Sequence, residues 1–329
     1  MEKKVQLADL SKPWPKPGGL PIFQGFLEAL PNAPAVQGLK GLASAIVLAK
    51  EARAPVVFAI GGHVIKTGCG PIISDLIEHG FVTHVAMNGA AMIHDLELAL
   101  YGETSQDVDA VVDSGKFGNP QLAGTICGAL AQSKSAVGLS IRAWLKRNCV
   151  RNRQSSILAH AYSSIGQPNT TIHLAIGADT LWNDLSSTGR LSLSQAAMND
   201  YVLLRQLIST MSGKPAVWVN IGSAQFLPEV FLKASAWAIQ NHADLSQLTK
   251  ANIDFIRAYR PGENVLRRGP GKQSIELIGH HEIMLPLLRA AILCADKYPG
   301  KTEASPPVPV KKGKGPDLGK YAELYLGWR

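Results

Sequence analysis

The chain has 329 residues, 46% of them apolar and 18% charged, with 33 Lys and Arg against 25 Asp and Glu for a net charge of +8. This length suits one large α/β domain or two smaller ones with an ample core, and the apolar share excludes a chain disordered throughout. Four scattered cysteines (Cys69, Cys127, Cys149, Cys294) without a Cys-x-x-Cys pair argue against a disulfide framework or zinc ribbon, so a reducing cytoplasm is expected.

Residues 1–34 are rich in proline and glycine and are expected to form an irregular N-terminal arm. Leu39–Ala52 then has the spacing of an amphipathic helix. Pro55–Ile60 is a short continuous apolar run, the mark of a strand buried on both faces, and Gly61-Gly62 ends it. A glycine-rich loop leads to a helical pattern over Ile72–His79, closed by Gly80. A second strand is expected over Phe81–Met87, followed by Asn88-Gly89 and a helix over Ala91–Tyr101. After a helical middle, Ser156–Ile165 suits a helix, Thr170–Ile176 a strand and Ser192–Met211 a long helix. Ala216–Ile221 is a further strand, and Pro228–Gln240 a helix with proline in its first turn. Ile253–Tyr259 and Ser274–Ile278 are candidate strands, and Ile283–Cys294 is helical despite Pro286.

Strands and helices alternating with short connections predict an α/β fold, a Rossmann-like, mostly parallel sheet with helices on both faces. The expected division is an arm (1–34), an α/β domain (35–297) and a flexible, Pro/Lys-rich basic tail (298–329), in which six Lys or Arg from Lys301 onward face three Asp or Glu. No stretch reads as a signal peptide or membrane helix, so no membrane partner is expected. A basic balance suits anionic cofactors and substrates. No nucleic-acid partner is expected, because aromatic-interleaved basic stripes and zinc-finger spacings are absent.

In a parallel sheet, ligands sit beyond the carboxyl ends of the strands. Ile60-Gly-Gly-His-Val-Ile-Lys-Thr-Gly-Cys-Gly70 occupies such a place, and its glycines permit close approach of backbone to a ligand. So does Met87-Asn-Gly-Ala-Ala-Met-Ile-His-Asp-Leu-Glu97, where His94 and Glu97 share a helix face at i and i+3. Gly279-His-His-Glu282 follows another strand candidate. Two basic stretches stand out. Arg142, Lys146, Arg147, Arg151 and Arg153 are expected on a solvated face, whereas Arg257, Arg260, Arg267, Arg268 and Lys272 surround a Pro/Gly loop better placed to grip an anion. Lys272 is also a candidate imine-forming lysine if it is buried.

Val56–Leu100 resembles the deoxyhypusine synthase superfamily. A strand leads into a polar loop, Phe58-Ala-Ile-Gly-Gly-His-Val-Ile-Lys-Thr-Gly68, and a second strand leads into Asn88-Gly-Ala-Ala-Met-Ile-His-Asp95. Ser156–Asp184, Val217–Ala234 and Glu276–Leu288 are similar to later segments of that family in the same order. Thr67-Gly-Cys-Gly70 and His94-Asp-Leu-Glu97 look closer to the archaeal-type NAD-dependent ornithine cyclodeaminase domains. The superfamily's acidic pair falls on Ile93 and His94 with Asp95 retained, which points to a class of chemistry rather than to deoxyhypusine synthesis itself.

The resemblance implies an NAD cofactor, a small amine or amino-acid substrate oxidised to an imine that is then transferred, cyclised or deaminated, and a homo-oligomer, by family habit a tetramer. For that chemistry His94, an imidazole, is the expected proton shuttle, Asp95 its orienter or an ammonium partner, and Lys272 a third catalytic candidate. Gly61, Gly62, His63, Thr67, Gly68, Asn88, Gly89, Ala90 and Asp179 would line the dinucleotide. Glu97, Arg260, Arg268, His280, His281 and Glu282 would meet substrate. No resident metal is expected. Two alternatives stay open: a metal-dependent hydrolase using His94, Asp95, Glu97, His280 and His281, and a non-catalytic nucleotide-binding protein whose basic tail docks an acidic partner.

Overall fold

The computed structural model describes residues 20–104, 112–113, 118, 120–133, 135–148, 155–160 and 169–297. The expected tail (298–329) and most of the expected arm lie outside them. Six strands form one sheet: β1 (Val56–Ile60), β2 (His84–Asn88), β3 (Asn169–His173), β4 (Val217–Ile221), β5 (Thr249–Asp254) and β6 (Gln273–Ile278). Their order is β3-β2-β1-β4-β5-β6 and every pairing is parallel. The expected α/β, Rossmann-like sheet is therefore found.

Eleven α-helices accompany the sheet among the described residues. They are α1 (Leu20–Ala29), α2 (Pro34–Glu51), α3 (Gly62–Lys66), α4 (Gly70–Glu78), α5 (Gly89–Tyr101), α6 (Pro120–Ser133), α7 (Val137–Asn148), α8 (Ile157–His160), α9 (Ser187–Ser209), α10 (Phe226–Gln240) and α11 (His281–Lys297). A π-helical turn, Pro261–Arg267, bridges β5 and β6. The arm is a correction: residues 20–29 are helical, and α2 starts at Pro34, where proline's fixed φ and missing N–H cost nothing at a helix start.

β1 and β4 lie at the centre with every residue buried, the reason their sequences are unbroken apolar runs. Trp218 of β4 stacks on Phe231 of α10 with ring centroids 4.5 Å apart, a pairing that contributes about 0.5–1.5 kcal/mol beyond its burial. Thr249–Asp254, by contrast, is polar in four of six positions and yet wholly buried. Asn252 Oδ1 accepts a 2.8 Å hydrogen bond from Asn220 Nδ2 across the β4–β5 ladder, and Lys250 Nζ donates to the Gly269 carbonyl. The strand expected at Ile253–Tyr259 is thus displaced, its core being Thr249–Asp254. Arg142 is also a correction to the expected solvated face: it is buried, at 3% exposure, while Lys146 and Arg147 on the same helix are exposed.

Candidate active site

The strand order reverses between β1 and β4, so their carboxyl ends open the crevice where an open α/β sheet takes its ligand. Glycines stand at both exits. Gly61 N–H donates to the Ile221 carbonyl at 2.9 Å, and Gly222 N–H donates to the Ile253 carbonyl at 3.0 Å. A Cβ on Gly61 would lie 2.7 Å from the Gly222 carbonyl carbon and nearer still to its oxygen. Gly222 has φ +60, which favours glycine, and a Cβ there would come within 2.8 Å of His281 Cε1. Bare backbone therefore forms the floor of the crevice.

The two glycine-containing stretches singled out in the sequence meet beside this floor. A Cβ on Gly62 would be 2.9 Å from Ala90 Cβ and 3.3 Å from His94 Cδ2. Asn88 caps α5, its Oδ1 accepting from Ala91 N–H at 2.9 Å. Asp179 arrives from the segment after β3, where its Oδ2 accepts from Ala175 N–H at 2.7 Å. Its carboxylate fills the space a Cβ on Gly89 would need, and burial raises its pKa. Thr67 and Gly68 close the other end of α3: the Thr67 hydroxyl donates to the His63 carbonyl at 3.0 Å, and Gly68 adopts φ +75 with open space around it.

His94 is half-buried, and its Nδ1 lies 2.8 Å from Glu97 Oε2, one turn along α5. A carboxylate only accepts, so this pair fixes the His94 tautomer with Nδ1 protonated and Nε2 bare in the neutral ring. Asp95 points elsewhere. It is fully buried and accepts from Ser156 Oγ (2.6 Å), Ile157 N–H (2.8 Å) and Leu158 N–H (2.9 Å). Those are the free donors at the start of α8, so Asp95 is an anchor for that segment. Burial pushes its pKa up to about 6 against the lowering pull of these three bonds.

A third group closes the crevice on the β5–β6 side. His63 Nδ1 lies 3.0 Å from His281 Nδ1, and His281 Nε2 lies 3.8 Å from Asp254 Oδ1. The Phe255 ring packs at 4.8 Å from that of His63. His63 is exposed, whereas His281 and Asp254 are buried. Burial, with the neighbouring His63, pushes His281 down to about 4.

The remaining candidates are not brought to this group. His280 and Glu282 are exposed and 3.9 Å apart, loosely paired with each other. Arg260 Nη1 donates to Glu229 Oε1 at 2.5 Å, and Arg268 Nε lies 3.3 Å from Glu263 Oε2, so both guanidinium groups already hold a carboxylate of the chain. Lys272 precedes β6; its N–H donates to the Leu248 carbonyl just before β5, and its Nζ to Gln247 Oε1. It is exposed at the amino edge of the sheet, and six strand residues at about 3.3 Å each separate it from the carboxyl edge. The buried lysine required for imine formation is therefore not found there. Among the described residues, no group of three or more His, Cys, Asp or Glu side chains is arranged to hold a metal ion. The sequence reading missed Asp254 and Gly222, because a polar residue in a polar run and a lone glycine after a strand carry no periodic signal.

Comparison with known proteins gives a consistent likeness. Residues 40–120 match the family described as arginine dihydrolase ArgZ-like, C-terminal, Rossmann fold. An ornithine cyclodeaminase from Methanothermobacter thermautotrophicus is 34% identical over 89 residues, 27% of this chain and 21% of that protein. A LOR/SDH protein from Methanococcus maripaludis S2 superposes over 81% of this chain and 72% of its own with a TM-score of 0.52 at 17% identity. AgrE in its ternary complex with ornithine and NAD+ superposes over 77% of this chain with a TM-score of 0.50 at 17% identity, and the match spans 32% of AgrE. A deoxyhypusine synthase-like protein of Entamoeba histolytica lies further off, at a TM-score of 0.46 and 12% identity. The structural likenesses are ones of fold, and the chain spans only about a fifth to a third of the cyclodeaminase and of AgrE. The resemblance expected from Val56–Leu100 is found: this part of the chain is similar to the ArgZ-like C-terminal Rossmann domains.

Proposed function

We propose that the chain is an NAD-dependent enzyme of amine or amino-acid metabolism, with the dinucleotide seated over the exits of β1 and β4. The observation that carries this is the contact of Gly61 with Gly222 at the reversal of strand order, flanked by His63, Ala90 and His94. The residues fit such a cofactor. A floor of bare backbone admits a flat ring or a diphosphate closely, and the Asp179 carboxylate over Gly89 is an acceptor for ribose hydroxyls. The same carboxylate repels phosphate from the start of α5, which leaves the glycine-lined exit of β1 for the diphosphate.

Bound there, nicotinamide would accept hydride from a substrate carbon that bears nitrogen. His94, oriented by Glu97, takes the proton that the substrate nitrogen must lose. Arg260 and Arg268 hold a substrate carboxylate only by exchanging Glu229 and Glu263 for it. L-Ornithine is the first substrate to try, because AgrE is found with ornithine and NAD+ together.

The test is thermal unfolding of the full chain with and without NAD. Ligand at a hundred times its Kd stabilises the native state by about 2.7 kcal/mol, and no shift at millimolar NAD refutes the cofactor assignment. Ammonia release from L-ornithine with NAD then separates an enzyme from a non-catalytic NAD-binding protein. The tetramer and a cytoplasmic location belong to the same proposal. The free thiols of Cys69 and Cys127 are in keeping with a reducing compartment, and light scattering after gel filtration reads the assembly.

A further inference from the structure

His281 begins α11 fully buried, and its Nε2 has no hydrogen-bond partner. A buried imidazole nitrogen left so is costly, and such exceptions call for an explanation. The nearest acidic group is Asp254, itself 2% exposed, with Oδ1 at 3.8 Å. That is too long for a direct hydrogen bond and close enough for charge to matter. Asp254 Oδ1 also accepts from Phe255 N–H at 2.8 Å, so it behaves as an acceptor. Facing an acceptor, neutral His281 keeps its proton on Nε2.

The consequence passes to the next ring. His281 Nδ1 is then bare and accepts, so across the 3.0 Å contact His63 Nδ1 must carry the proton and donate. The lone pair of neutral His63 is left on Nε2. His63 is exposed, and among the described residues its Nε2 has no partner. Both rings are held in place, His63 by the tilted ring of Phe255 and His281 by the Gly222 backbone.

We infer that His63 is a general base at the mouth of the crevice, with His281 and Asp254 as positioning residues that set its reactive tautomer. For its substrate this rests on the function proposed above: where His94 takes the proton of the substrate ammonium, His63 Nε2 removes the second one, from the iminium nitrogen left after hydride transfer, to give the neutral imine. The proton stays on Nε2, Nδ1–H remains donated to His281, and Asp254 offsets the new positive charge through the intervening ring. The proton leaves from Nε2 to product or solvent when the cycle closes. His281 is neutral throughout because burial holds it down, and the other titratable groups near it are His280 and Glu282, both exposed on α11.

Nitrogen NMR of the histidine rings in the ¹⁵N-labelled full chain tests this without NAD or substrate. At a pH where both rings are neutral, His63 is expected with its proton on Nδ1 and His281 with its proton on Nε2. Asp254→Asn is expected to move His63 toward the Nε2–H tautomer. Finding wild-type His63 protonated on Nε2, or unmoved in a folded Asp254→Asn, overturns the inference; if that variant does not fold, the wild-type spectrum alone decides. With NAD and L-ornithine, His63→Gln is expected to lose about 10²–10⁴-fold in turnover while keeping NAD-induced thermal stabilisation, and undiminished turnover overturns the base role. Absence of stabilisation by NAD in the wild type counts against the cofactor assignment, whatever the tautomers prove to be.

Discussion

Gly61→Ala tests the floor of the crevice. The added methyl would sit 2.7 Å from the Gly222 carbonyl carbon and closer to its oxygen, where carbon atoms ordinarily keep about 3.4 Å or more. The neighbour is backbone, so no rotamer relieves the clash, and the exits of β1 and β4 must part by about 1 Å. That strains the bonds from Gly61 to Ile221 and from Gly222 to Ile253, each with a net worth of about 1 kcal/mol. With an overpacking cost of about 1–3 kcal/mol, the loss is about 3–5 kcal/mol. For a domain of this size each kcal/mol lowers Tm by about 1.5–2 °C, so calorimetry is expected to show a drop of about 5–10 °C. A melting temperature equal to the parent's would mean that the two exits do not touch, and the crevice would lose its floor.

Gly89→Ala places a methyl inside the Asp179 carboxylate and is expected to destabilise by about 1–3 kcal/mol; adding Asp179→Ala should recover most of that loss, a coupling read by urea denaturation of the double variant. Lys272→Ala is expected to change urea stability by less than about 0.5 kcal/mol and to leave NAD binding and turnover intact, since the residue lies at the amino edge of the sheet; a large loss of turnover would contradict its placement. His84 and His173, buried on β2 and β3, are both pushed down to about 3 from 6.5. Their folded pKa lies below the unfolded one, so the stability they confer is complete above pH 6.5 and is lost as pH falls toward 3, at up to about 2.7 kcal/mol per pH unit for the pair. Urea midpoints measured from pH 7 to 4 should show that slope, and it should be absent in the double glutamine variant. Asp95 works the other way: its raised folded pKa makes its contribution fall as pH rises from 3.8 to about 6, so Asp95→Asn should steepen the net acid-side loss over that interval.

The central strands were legible because β1 and β4 are buried on both faces and must be apolar at every position. β5 was misplaced for the opposite reason. Its buried polar side chains satisfy one another, Asn252 with Asn220 and Lys250 with the Gly269 carbonyl, so hydrophobicity pointed instead to the residues after it, where Phe255 and Tyr259 are in fact exposed. α3 has five residues, too few to show a helical period, and was read as loop. At the site, the approach of 61–68 to 88–95 followed from parallel topology, which gathers strand exits at one edge. Whether an acid serves chemistry or architecture did not follow: Asp95 and Glu97 are two residues apart, yet one anchors α8 and the other orients His94. Only the tertiary partner distinguishes them.

The amide bonds of Gly61 and Gly222 run into Ile221 and Ile253, so the crevice floor continues the hydrogen-bond ladder of three adjoining strands. Its amide protons are expected to exchange with solvent more slowly than those of the exposed loops. The rim, where His63 and Phe255 are exposed, lies outside that ladder and is held by side-chain contacts instead. A pocket whose foundation is backbone and whose rim is side chains is one whose selectivity changes by surface replacement while its foundation stays untouched.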